Sequence, residues 1–362
     1  MKTERVTAVQ YYSVLYLTML SGILMYIATE DSIVNGLNAL LRPFVFFVVN
    51  IAACIPIRFL YSKCAGENLF DALEKRSRRL SVAVAAAYFV IFVFVTAKIS
   101  VRFDLFASSE MFPEKNMLFL SVIMVAICAV LACIGFGGLA RGAFLIAVIV
   151  SISVLSVQLS LFNEIDFLNF TPLFENGVAD FAVRSVRTSL LAVECGTLPL
   201  FFGSVSGNVK KGFYVWLAGS CIVFLFVSFT VIGTLGIFTD SRLFPSYSTV
   251  SVAKFGLFER VDSVETAVWI SCVVIKITYY IIAASRCLTH IFKKLPFRLA
   301  AVLIGTLAAI TLAAISSGIT RHRIFAVSVQ NFAVYVIPVV ILPAVSLLIL
   351  KFKKVKADEN NC

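Results

Sequence analysis

An all-α polytopic membrane protein with about ten transmembrane helices is the fold class this sequence predicts, on three observations. Of its 362 residues, 60% are hydrophobic and only 14% charged, against about a quarter charged in soluble domains. Mean hydropathy is +0.98. Apolar stretches of roughly 20 residues, the length that crosses a hydrocarbon core, recur almost end to end with short polar breaks. The runs are continuous and do not alternate, which argues against a barrel of strands.

The spans fall at about 9–28, 37–60, 81–101, 117–134, 140–162, 184–204, 212–238, 264–289, 297–317 and 325–350. MKTER ahead of the first raises a cleaved leader, but no A-x-A-like site stands near Ile27 to Glu30, so this stretch counts as a span. The acidic break NEIDFLNFTPLFENGVADF, 163–181, divides the ten into five and five. The chain therefore reads as one transmembrane domain, 1–350, of two halves at about 6–162 and 183–350, with a basic and polar cytoplasmic tail at 351–362.

Orientation follows from the basic residues of the loops. With both termini in the cytoplasm, eighteen Lys and Arg lie inside and ten outside, with Arg58, Lys98 and Lys276 in or near spans. The RHR at 321–323 is the main violation. This placement also accounts for the net charge of +11 without nucleic acid, since no basic groove with interleaved aromatics is present.

Two connecting segments carry structure of their own. ENLFDALEKRSRRL, 67–80, spaces Leu69, Phe70, Leu73 and Leu80 for one helix face beside a basic cluster. It is either a connecting helix or a surface that docks membrane lipids or a partner. FTDSRLFPSYSTVSVAKFGLFERVDSVE, 238–265, is too polar to cross and apolar enough to fold back as short helices over the outer mouth.

The sixth span, SLLAVECGTLPLFFGSV, holds the chief candidate site. An ionised side chain at the bilayer centre costs about 2.5–3.5 kcal/mol on insertion scales and normally marks function. Glu194 stands near the middle, Gly196 weakens the helix, and Pro199 removes the amide that would bond to Cys195 four residues back. A broken helix is expected here, and irregular backbone at this depth is tolerated where it lines a cavity or is buried in protein. The first span has a weaker counterpart, Ser21-Gly22 in LTMLSGILMY. Interrupted segments at matching places point to a ligand site between inverted repeats, with helices 1 and 6 broken at Gly22, Gly196 and Pro199.

The candidate ligand-binding residues are thus Ser21, Gly22, Glu194, Cys195, Gly196 and Lys276, a set whose polarity suits a zwitterion. Other readings stay open. Glu194 could be a neutral acid tying helices together, Ser21-Gly22 a close-packing seam, and Lys276 a structural partner, a fixed charge in place of a sodium ion, or a proton carrier. Lys98, nearer an outer end, is expected to snorkel.

Cofactor and enzyme chemistry find little support. The nine cysteines, at 54, 64, 128, 133, 195, 221, 272, 287 and 362, form no CxxC, so neither a metal site nor a disulfide framework is implied. His290 and His322, the two histidines, fall on opposite sides of the membrane. GFGGLARG, 135–142, is glycine-rich but fits a tight turn between spans four and five, not a phosphate loop.

GLFERVDSVETAVWI, 256–270, resembles a signature at the start of the eighth span in the B-subunit family of spore germinant receptors, matching at Phe258, Glu259, Arg260, Val261, Asp262 and Trp269. NFTPLFENG, with Pro172 and Gly177, is similar to that family's outer loop, and AVECG to its glycine–glutamate stretch, with Val193 where Phe or Tyr is usual. The first span departs by lacking the threonine after the glycine and the proline at its outer end. The family belongs to the amino acid-polyamine-cation transporter superfamily. The resemblance implies a five-plus-five, LeuT-like inverted repeat and a receptor of the endospore inner membrane. Such a receptor binds a small nutrient, often an amino acid, together with an A subunit and a C lipoprotein. Glu259, Arg260 and Asp262 are then expected to cap the eighth helix and pair at the outer mouth. A proton-coupled amino acid permease is the alternative, since it needs the same pocket.

Overall fold

The computed structural model describes residues 5–24, 37–64, 66–111, 117–171, 177–190, 192–251, 262–318, 325 and 332–351. Glu259, Arg260, the RHR at 321–323 and the tail from 352 lie outside the described residues.

The chain opens with a two-residue strand, β1 (Val6–Thr7), and enters helix α1 (Ala8–Leu24). The second span is two helices, α2 (Asn38–Ala53) and α3 (Ile55–Cys64), bent by 40° at Cys54. A short helix α4 (Leu69–Glu74) then leads into the long α5 (Arg78–Phe106), which ends in a π turn at Ala107–Met111. Helices α6 (Leu118–Ile134) and α7 (Phe136–Ser160) are parted by Gly135 alone, at φ 95°. The turn expected over 135–142 is therefore one left-handed glycine, and Gly137 to Arg141 are already helical.

The sixth span begins as α8 (Gly177–Ser189), leaves helical geometry, and resumes as a 3-10 turn (Val193–Thr197) and the short α9 (Leu198–Phe201). It closes on β2 (Val205–Ser206), which pairs in parallel with β1. This single pair lies outside the expectation of a strand-free chain. It ties the start of the first span to the end of the sixth. Helix α10 (Val209–Leu235) follows, its first turn capped by the Asn208 side chain accepting from the Lys211 amide at 3.0 Å. A 3-10 turn (Gly236–Ser241) and α11 (Pro245–Val250) form the described part of the segment 238–265. Helices α12 (Asp262–Ile291) and α13 (Phe297–Ser316) and the last span, α14 (Phe332–Val336), a π turn (Ile337–Ile341) and α15 (Leu342–Lys351), complete the bundle.

Among the described residues six helices are long and apolar enough to cross a membrane, and the bent α2–α3 pair makes a seventh. Helices α1 and α6, shorter and apolar, and the broken sixth span fill the remaining places. All ten predicted spans thus have a helix, and the protein is an integral membrane protein. Helix α12 is the most buried of the long spans and lies at the centre, packed against α1, α5, α6, α7 and α13. Where α13 crosses α6, a Cβ on Gly305 would stand 2.4 Å from that of Ala129, so the contact depends on a small residue.

Helix α4 settles the reading of 67–80. Leu69, Phe70 and Leu73 are buried against the bundle, whereas Leu80 is exposed on α5. The helix is pinned through Glu74, which receives Lys293 and, at 3.1 Å, Arg78. It is a connecting helix, and its apolar face is occupied.

Candidate functional site

The break in the sixth span lies ahead of Glu194, not at the residues expected to cause it. Helix α8 stops at Ser189, and the chain re-forms a 3-10 turn from Val193. A helix end strands carbonyls that need partners. Asn50, in the last turn of α2, supplies one: its Nδ2 donates to the carbonyl of Ser189 at 3.2 Å and to that of Phe46 at 2.8 Å, while its Oδ1 accepts from the Tyr335 hydroxyl at 2.7 Å. Asn50 was missed in the sequence, although an amide inside FVFFVVNIAAC carries the same cost of burial as any polar group at this depth.

Three helix-breaking assignments need correction. Pro199 sits in the first turn of α9, where no amide donor is required, so it starts a helix. Gly196 serves close approach: a Cβ there would come within 2.6 Å of Pro338 Cβ and 3.1 Å of the Pro338 carbonyl carbon. Gly22 breaks nothing, since α1 runs through Ser21 and Gly22 to Leu24. A glycine costs a helix about 1 kcal/mol but keeps its amide, so the backbone ladder continues.

The 3-10 turn presents Glu194 to α12. Its carboxylate is fully buried, with Lys276 Nζ at 2.9 Å from Oε1. Neither carboxylate oxygen accepts a hydrogen bond of good geometry, so the ammonium balances the charge without satisfying the acceptors. Lys276 directs its hydrogen bond to the carbonyl of Thr18 in α1 at 2.9 Å, and Gly22, one turn on, leaves room for the ammonium. The three elements named in the sequence, α1, the sixth span and α12, therefore meet at one ion pair.

Beside the pair is a cavity of about 30 Å³ lined by Ser21, Gly22, Arg102, Trp269 and Lys276, among others. That is the space of about one water. Ser21 turns its hydroxyl back to the Thr18 carbonyl at 2.9 Å, and its own carbonyl accepts from Trp269 Nε1 at 3.3 Å. Cys195 points elsewhere, its Sγ 3.9 Å from Asn50 Oδ1, and neither it nor Gly196 lines the cavity. Lys98 is partly buried on α5, one turn from Arg102.

Aromatic layers close the site on both sides. Toward the start of α12, Trp269 packs on Phe103 and Phe106 with centroids 5.7 and 4.4 Å away, and Phe106 meets Phe244 of the segment 238–265 at 5.2 Å. One helical turn beyond Lys276, the Tyr279 hydroxyl lies 2.6 Å from Thr197 Oγ1 and 3.3 Å from the Tyr11 hydroxyl. Its ring stacks on Phe201 at 5.2 Å, and Phe201 meets Phe136 at 4.4 Å. Arg286, counted from sequence as a loop charge, is a half-buried residue of α12. Its guanidinium lies 4.2 Å from the Phe201 centroid and donates to the Leu200 carbonyl at 3.0 Å and to Ser204 Oγ at 3.1 Å. It thereby clamps the end of the sixth span, as a cation does best where helical carbonyls are exposed.

Asp262 opens α12, where a negative charge favours the helix dipole. Glu265, one turn on, is buried with both oxygens lacking a hydrogen bond. Among the described residues no group of three or more His, Cys, Asp or Glu is placed to hold a metal ion.

A broken helix, a buried ion pair at the break and closure on both sides define a membrane protein built like a transporter. Its fold matches that of a Na+-coupled sialic acid symporter in a substrate-bound, outward-open state, with a TM-score of 0.63 at 10% identity over 98% of this chain and 92% of that one. Residues 43–319 match the spore permease family of spore germination proteins, and the chain belongs to that family. YfkT of Bacillus subtilis (strain 168), named for spore germination, is 25% identical over 256 residues, which cover 67% of this chain and 70% of YfkT.

Proposed function

We propose that the chain is the nutrient-binding membrane subunit of a germinant receptor in the inner membrane of an endospore, with both termini cytoplasmic. The halves at about 6–162 and 183–350 act as inverted repeats, and a small zwitterion, an amino acid, binds between α1, the 3-10 turn of the sixth span and α12. A larger A subunit and a lipoprotein C subunit complete the receptor. The observation that carries the reading is the Glu194–Lys276 pair at 2.9 Å, fully buried on the acid side and poorly hydrogen-bonded. A ligand ammonium would satisfy the acceptors of Glu194, and a ligand carboxylate would take the charge of Lys276.

The cavity of about 30 Å³ is too small for that ligand, so binding requires the Trp269 layer to part. An ion pair that exchanges partners with the ligand couples occupancy to the position of the sixth span. Spores carrying Glu194→Gln should insert the protein normally and respond weakly to the nutrient. A normal response would make the carboxylate structural. Saturable uptake of labelled amino acids by the chain alone in liposomes would replace the receptor reading with the permease.

A further inference from the structure

A second cavity lies away from the ion pair, at the bend of the second span. It encloses about 120 Å³ between α3, α9 and the start of α10. Its walls are apolar, with Cys54 at the bend, Leu198 and Phe202 from the sixth span, and Phe213 from α10. Dry apolar cavities of about this size, roughly 150 Å³, take up apolar guests such as benzene.

Two cations, Arg58 and Lys210, also line it, both exposed at the basic end of the bundle. Arg58 reaches the Tyr214 hydroxyl at 3.4 Å, and Lys210 stands 6.0 Å over the Tyr61 ring. Among the described residues no Asp or Glu lines the cavity. Ile55 in its wall and Phe59 beside it are about half and more than half exposed, as suits a lipid-facing surface. An apolar slot with two cations at its mouth is complementary to an amphiphile with an anionic head.

We propose that this cavity binds an anionic phospholipid, with one acyl chain in the slot and the phosphate between Arg58 and Lys210. The acyl chain then lies against Leu198 and Phe202, in the half of the sixth span that follows Glu194, and fills the space into which that half would move. Lipid composition is thereby coupled to the mobility of the broken span.

The protein's two tryptophans supply the test. Trp216 is buried and touches two residues that line the cavity, with ring centroids 6.3 Å from Tyr12 and 5.9 Å from Phe213. In full-length Trp269→Phe protein reconstituted in phosphatidylcholine vesicles, Trp216 emission is titrated with acyl-brominated phosphatidylglycerol or brominated phosphatidylcholine. Quenching by the phosphatidylglycerol should saturate at a mole fraction on the order of thirtyfold lower, given about 1 kcal/mol for each of the two cations at an anionic surface. Arg58→Gln with Lys210→Gln should abolish the preference, Arg58→Lys should retain it, and millimolar inorganic phosphate should leave it in place. Equal quenching by both lipids overturns the proposal. So does a preference that survives the double substitution, or one that free phosphate removes.

Discussion

The first and sixth spans carry the same kind of signal, small residues inside an apolar run, and respond to it differently. Helix α1 passes through Ser21 and Gly22 without a break, while the sixth span leaves helical geometry after Ser189 and returns as a tighter 3-10 turn. The difference lies in what surrounds each segment. Asn50 stands ready to take a carbonyl that α8 abandons, and Pro338 occupies the ground beside Gly196. Among the described residues, only the end of the Lys276 side chain stands beside Gly22, 3.6 Å from a Cβ placed there. A break in a buried helix is thus determined by the partners waiting for its backbone more than by the residue that weakens it.

The largest expected effect comes from the charges that join the two spans. Lys276→Met leaves Glu194 buried without a countercharge, and removing one member of a buried pair costs about 3–5 kcal/mol. Glu194→Gln with Lys276→Met should recover most of that loss, because a neutral pair pays no desolvation penalty. Chemical denaturation in micelles reads both. If the double variant is as unstable as Lys276→Met, the pair is not the link between α1, α12 and the break.

Next come the two glycines. Gly196→Ala forces a methyl against Pro338, and overpacking of this kind costs about 1–3 kcal/mol. Gly22→Ala meets ordinary van der Waals contact in a continuous helix, so it should be neutral or stabilise by up to about 1 kcal/mol. Thermal melts of the two proteins should therefore shift in opposite directions. Equal losses would mean that both glycines serve close packing, and the contrast would fail.

A smaller effect tests the Trp269 layer. Trp269→Phe keeps a ring between Phe103 and Phe106 but removes the donor to the Ser21 carbonyl, worth about 0.5–1.5 kcal/mol. If the Trp269 layer must part for ligand to enter, this variant should also respond to nutrient at lower concentration.

The sequence made the spans legible because hydrocarbon imposes a length and a composition that no tertiary contact overrides. It made Glu194 and Lys276 legible for the same reason, since a charge at depth is conspicuous in an apolar run. That the two face each other was not readable, because they are eighty-two positions apart and only the crossing of α12 with the sixth span decides it. The place of the break was misread toward Gly196 and Pro199, as intrinsic propensity cannot register Asn50 or Pro338 arriving from other spans. Arg286 was hidden differently: a cation near a span end reads as a loop charge, and its contact with Phe201 is tertiary.

The smallest expected effect sets a second lysine–carboxylate contact beside the first. Glu74, on α4 outside the spans, also faces a lysine, but Lys293 is mostly exposed where Lys276 is not. The hydrogen bond from Lys293 holds the Glu74 carboxyl below the usual carboxylate range, aided by the charge of Arg78 and opposed by its partial burial. A carboxylate with a depressed folded pKa stabilises the protein above its unfolded pKa, about 4.3. That stabilisation is lost as pH falls through the folded value. The α4 contact should therefore weaken only below about pH 4, by less than about 1 kcal/mol, and less again in high salt. Glu74→Gln should remove this acid limb while leaving stability at neutral pH within that margin, as measured by melting temperature against pH. A loss near that of Lys276→Met would mean that exposure does not separate the two pairs, and that α4 is held as tightly as the break in the sixth span.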